Sequence, residues 1–115
     1  MPEKFPTPEW SADEQRLIKA LYEKGIDDEE TRVSLQSWAE AEEMKVEAET
    51  ELRVEASIAF ERKRARLYHS AGYAYEALGA LEDARLQAHQ IQNQELYDAI
   101  MAEMDRIEEE SAEKK

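Results

Sequence analysis

Seven glutamates, Glu40, Glu42, Glu43, Glu47, Glu49, Glu51 and Glu55, crowd one short stretch, and Arg62, Lys63, Arg64 and Arg66 follow soon after. Carboxylates at helical spacing can hold two metal ions inside a helical bundle, but such sites combine glutamates with a Glu-x-x-His step. Arg66 and Leu86 stand three residues before His69 and His89, so neither histidine completes that step. A carboxylate metalloprotein is thus the weakest alternative, and no metal, cofactor or catalytic residue is assigned. A charge run of this kind reads as a solvated acidic face, which can also present Glu40, Glu43, Glu47 and Glu51 to a basic partner. The basic residues suit ion pairs with Glu55, Glu61 and Glu76. Alternatively, Arg62 and Arg66, joined by His69 one turn on, form a clamp for a partner's carboxylate. His89, among Gln87, Gln90, Gln92 and Gln94, reads as a surface residue. Tyr73 is the aromatic best placed to contact a partner. No nucleophile elbow, phosphate loop or histidine-based triad can be assembled.

The composition narrows the function further. The chain has 115 residues, 28 acids against 15 bases and a net charge of −13. That balance argues against direct nucleic-acid binding, which needs a cationic face to neutralise phosphates, and favours a cationic partner. Residues 1–60 carry a net −9 and residues 61–115 a net −4. Cysteine is absent, which removes disulfides and thiolate chemistry and fits a cytoplasmic protein. No apolar run approaches the ~20 residues of a membrane span, and the first residues lack a signal peptide's basic and apolar regions.

Few glycines and prolines interrupt the chain, and all three prolines fall within the first eight residues. Abundant Ala, Glu, Leu, Arg and Gln make an all-α fold the expectation. Residues 1–10 form an extended lead-in, pinned by Phe5 and Trp10. Ser11 and Glu14 make a capping box that starts a helix over 11–24, with Leu17, Ile18, Leu21 and Tyr22 on its buried face. Gly25 ends it in a left-handed cap, Ile26 folds back on Leu21, and Asp27 caps the next helix. Residues 28–78 then read as one long central helix, roughly 75 Å at 1.5 Å per residue; a break near Thr50 or Ser57 would give a four-helix bundle instead. A last helix spans 81–110, and 111–115 is a frayed tail. Residues 11–110 make a single domain.

The segment 65–84 gives that architecture its most specific feature. Gly79 stops one helix, Leu81 starts the next, and Gly72 and Ala84 are small enough for two helix backbones to approach. Tyr68, Gly72, Tyr75, Gly79 and Ala84 fall on the offsets of the tetratricopeptide repeat, and the segment 65–98 resembles one such unit. It departs from the pattern at Ala88, Ile91 and Leu96, where a large aromatic, an alanine and a proline are usual. The resemblance implies an αα-hairpin that binds a protein or peptide, with Tyr68 and Tyr75 in the core. A long two-layer assembly leaves apolar stripes uncovered, so the expectation is a homodimer with a coiled-coil-like or four-helix interface. The function expected is a non-enzymatic adaptor or assembly factor. The rival is an acidic mimic of nucleic acid that occupies a basic protein's binding site.

Overall fold

The residues that start and stop helices explain most of the architecture. In the computed structural model, which describes residues 10–49 and 53–113, five helices follow one another and no strand occurs among the described residues. They are α1 (Ala12–Lys24), α2 (Glu29–Ala48), α3 (Arg53–Ser70), α4 (Ala74–Gln90) and α5 (Gln94–Glu113). The capping box forms as the sequence indicates: the Glu14 amide donates to Ser11 Oγ at 3.1 Å and the Ser11 amide to Glu14 Oε1 at 3.0 Å. Gly25 leaves α1 at φ 94°, ψ 159°, a positive-φ extended conformation rather than the left-handed helical cap expected. Asp28, not Asp27, caps α2, because Thr31 offers its carboxylate both an amide at 3.0 Å and a hydroxyl at 2.8 Å. These two bonds hold the Asp28 carboxyl below the usual range, and Thr31 itself is buried.

The single helix over 28–78 does not form. The chain leaves helical geometry at Glu49 (φ −78°, ψ 124°), and α3 begins at Arg53. The expected Thr50 break and the site residue Glu51 lie outside the described residues. The five helices fold into a body of 39 × 35 × 24 Å, far shorter than a 75 Å rod. The second correction concerns the hairpin. Gly72, at φ 92°, turns the chain between α3 and α4, whereas Gly79 lies inside α4. Gly79 is solvent-facing, and an added Cβ there would meet nothing within 4 Å. Only a positive φ makes glycine's freedom decisive, which is why Gly72 wins.

The α3–α4 turn is repeated at α4–α5. Tyr73 N–H donates to the Tyr68 carbonyl at 2.8 Å and Asn93 N–H to the Ala88 carbonyl at 3.0 Å; Gln92, at φ 57°, takes the place of Gly72. Three antiparallel helices result, in a helical-repeat-like stack. Small residues let them approach: Ala65 on α3, Ala77, Ala80, Ala84 and Ala88 on α4, with Ile58, Leu81, Ile100 and Ile107 filling the gaps. Burying each of these larger side chains stabilises the stack by roughly 1.5–3 kcal/mol. A second core joins α1 to α3 through Leu17, Leu21, Leu67 and Ala71, with Trp10, Ile26 and Trp38 against it. Tyr22 faces outward, 75% exposed, and Tyr75 is 86% exposed, so neither is the core residue expected.

Candidate interaction grooves and the α3 charge network

Helix α3 carries the basic run, and its side chains radiate to four other partners in the fold. Lys63 Nζ reaches Glu14 Oε2 of α1 at 2.9 Å and Glu42 Oε1 of α2 at 2.8 Å. Arg62 Nε donates to Glu103 Oε1 of α5 at 2.6 Å, and Arg66 approaches the same carboxylate at 3.7 Å. His69 Nε2 lies 3.3 Å from Glu110 Oε1. Arg64 pairs with Glu61 on its own helix and covers the Phe60 ring, 4.6 Å from its centroid. Ion pairing, expected with Glu55, Glu61 and Glu76, therefore uses Glu61 alone of those three, and otherwise Glu14, Glu42 and Glu103. Tyr73, expected on an interaction surface, ties down a turn: its hydroxyl donates to the Leu21 carbonyl at 2.9 Å and accepts from the Ile26 amide at 2.8 Å.

Burial decides how these groups titrate. Glu14 is 7% exposed. That burial opposes its charge, but the Ser11 amide, the Trp38 indole at 2.8 Å and Lys63 outweigh it and lower its pKa to about 2. Burial likewise opposes the Lys63 charge, and the bonds to Glu42 and Glu14 prevail and raise its pKa. Glu61 moves the other way. Burial raises its pKa against the pull of Arg64, and nearby Asp83 adds to the rise. Tyr68 is also raised, chiefly by burial.

Among the described residues, clefts lie between the helices, and three of them bear on the site. One of about 760 Å³ separates α1 from α2, walled by Leu17, Ala20, Ser34, Ser37 and Ala41, with Glu14 and Lys63 among its lining residues. The other two share Arg64 as a lining residue and lie along α3 beside α2. The first, about 500 Å³, is lined by Arg32, Leu35, Ala39 and Tyr68 among others. The second, about 460 Å³, is lined by Glu43, Val46, Glu47, Phe60, Asp83 and Leu86 among others. The expected acidic residues therefore separate: Glu43 and Glu47 enter this groove, while Glu40 stays exposed on α2 and accepts from the Gln36 amide at 3.2 Å.

Several residues of these sites were not singled out by sequence reasoning. Glu14 looked like a helix cap, Glu42 like one more carboxylate of the solvated acidic run, and Trp38, Arg32 and Leu86 carry no motif. Only the coincidence of a capping glutamate with a lone mid-helix tryptophan hinted at a buried acid. Among the described residues, no group of three or more His, Asp or Glu could hold a metal ion, and no helix is long and apolar enough to cross a membrane. In comparisons with known proteins, the chain matches no family model, no curated protein and no solved structure.

Proposed function

We propose that this chain is a non-enzymatic interaction module, an adaptor or assembly factor that binds a protein or peptide through grooves between its helices. The observation that carries this reading is the pair of neighbouring clefts along α3, both walled by α2, one of them also by α4, and lined partly by apolar side chains. The basic residues of α3 are engaged inside the fold and brace it around those clefts. The stacked hairpins support a helical-repeat-like unit, although its turn at Gly72 replaces the one that the tetratricopeptide resemblance places at Gly79. A cytoplasmic setting fits the lack of cysteine.

The test is affinity capture from cells with quantitative mass spectrometry, comparing the intact chain with a variant of the groove residues Glu43, Glu47 and Leu86. Reproducible enrichment of a protein by the intact chain supports the module; capture of none overturns it. Nucleic-acid mimicry is the second reading, favoured by the exposed carboxylates of α2. It requires a partner lost steeply with added salt and competed by DNA or RNA.

Self-association is a further part of this proposal. The argument from an open two-layer assembly falls with the long helix, but α2 still exposes Val33, Ser37, Ala41, Met44 and Ala48 along one helical face. Val33 is 59% and Met44 70% exposed.

A further inference from the structure

Seven positions of α2, from Arg32 to Glu47, line two neighbouring clefts along one face, with Arg64 between them. At 1.5 Å per residue that face is roughly 22 Å long. Across the end at Glu43 and Glu47, α4 supplies Asp83 and Leu86, and α3 lies beneath with Arg64, which covers the buried Phe60, and with Tyr68. Leu86 is 48% exposed although it sits in the cleft, so apolar surface is presented rather than sealed. The charge along the groove is uneven. Arg32 and Asp27 line one end, whereas Glu43, Glu47, Glu61 and Asp83 surround the other, with Arg64 between the two.

We infer, on the reading of the chain as an interaction module, that this groove docks a basic amphipathic helix of a partner protein. Its apolar side chains lie against Leu35, Val46 and Leu86, and its Lys or Arg residues face Glu43, Glu47 and Asp83. Three features select this occupant. The groove matches about four turns of helix in length. An acidic rim beside apolar lining residues complements cationic side chains beside apolar ones. A second copy of this chain is a poor occupant of the groove, because its one basic run is committed to Glu14, Glu42, Glu61 and Glu103. The helix dipole adds direction: the occupant's positive N-terminal end favours the end at Glu43 and Glu47.

Fluorescence anisotropy tests this with the full chain and a fluorescein-labelled Leu/Lys amphipathic peptide of about 15 residues. A peptide of the same composition, with its leucines scattered around the helix, is the control. Saturable binding of the patterned peptide is expected. The Glu43→Lys/Glu47→Lys variant should weaken it about tenfold or more, as loss and reversal of facing charges do, and Leu86→Glu should weaken it as well. A Glu95→Lys/Glu108→Lys variant on α5, with the same change in net charge, should stay within about twofold, because distant exposed charges are screened. Circular dichroism confirms that each variant is folded. Equal binding of the scrambled peptide, equal loss in the α5 variant, or no binding at all would overturn the inference. Methyl NMR shifts centred on Val33 and Met44 rather than Leu35, Val46 and Leu86 would overturn it too. If a captured cellular partner persists after the groove substitutions, the docking site is wrong while the interaction module stands; if nothing is captured, the module itself fails.

Discussion

The hydroxyl of Tyr73 sits 2.9 Å from the carbonyl oxygen of Leu21, a residue 52 positions earlier, and accepts the Ile26 amide on its other side. One phenol thereby joins the end of α1 and the turn at Gly25 to the turn at Gly72. Tyr73→Phe removes both bonds and leaves a partly buried amide without that acceptor. A net hydrogen bond is worth about 1 kcal/mol, and an orphaned buried donor costs about 1–3. The expected loss is about 2 kcal/mol, read from urea unfolding followed by circular dichroism, with unchanged helix content before the transition.

The glycines should respond in opposite directions. Gly72→Ala places a Cβ at φ 92° and should destabilise by about 1 kcal/mol or more. Gly79→Ala, inside α4 with open space around it, should stabilise by roughly 0.5–1 kcal/mol. Thermal melts of the two variants distinguish the observed turn from one at Gly79, where both signs would reverse.

Glu14 sets an acid limb. Its folded pKa of about 2 lies below the unfolded 4.5, so its stabilisation is present above pH 4.5 and drains away as pH falls toward 2, by up to about 3 kcal/mol. Glu61, raised by burial, acts in the opposite sense: its contribution is greatest at low pH and is lost as pH rises through its folded pKa. Denaturation measured from pH 2 to 7 should show a shallower acid limb in Glu14→Gln than in the parent chain. Trp38 fluorescence should follow the same titration, since its indole bonds to Glu14.

Self-association should depend on the outward face of α2. Light scattering on a sizing column is expected to give twice the 13.4 kDa chain mass, and Val33→Glu/Met44→Glu should return it to one chain. A single-chain mass for the parent excludes the homodimer.

Much of the fold was legible wherever a backbone requirement and a side chain coincide. Ser11 and Glu14 announce α1 because each satisfies the other's amide, and Ala84 marks a close helix approach. The break after Ala48 was legible only as the alternative near Thr50, because no proline, glycine or turn cluster announces it; helix propensity there favours continuation, and packing of α2 against α3 overrides it. Gly72 and Gly79 look alike as letters, and only the tertiary course of the chain decides which takes positive φ. For the candidate site, the basic run on α3 was visible, but its partners were not. Glu14, Glu42 and Glu103 lie far from it in sequence, and no local pattern pairs them.

Each helix packs chiefly on the one before and the one after it, with α3 against α4 the most extensive of these interfaces. Loop closure is therefore mostly short, the longer closures being where α1 meets α3 and where α3 reaches Glu103 of α5, and short closures make for fast folding. The hairpin of α3 and α4 is the natural nucleus, with α5 and then α2 and α1 added outward. Opening should run in the reverse order, so amide exchange at α1 and α2 outpaces that at the centre of α4. The wall of the groove formed by α2 is then also the part of the molecule that gives way first, and a ligand wedged between α2 and α4 would act as a splint, slowing exchange across the N-terminal half.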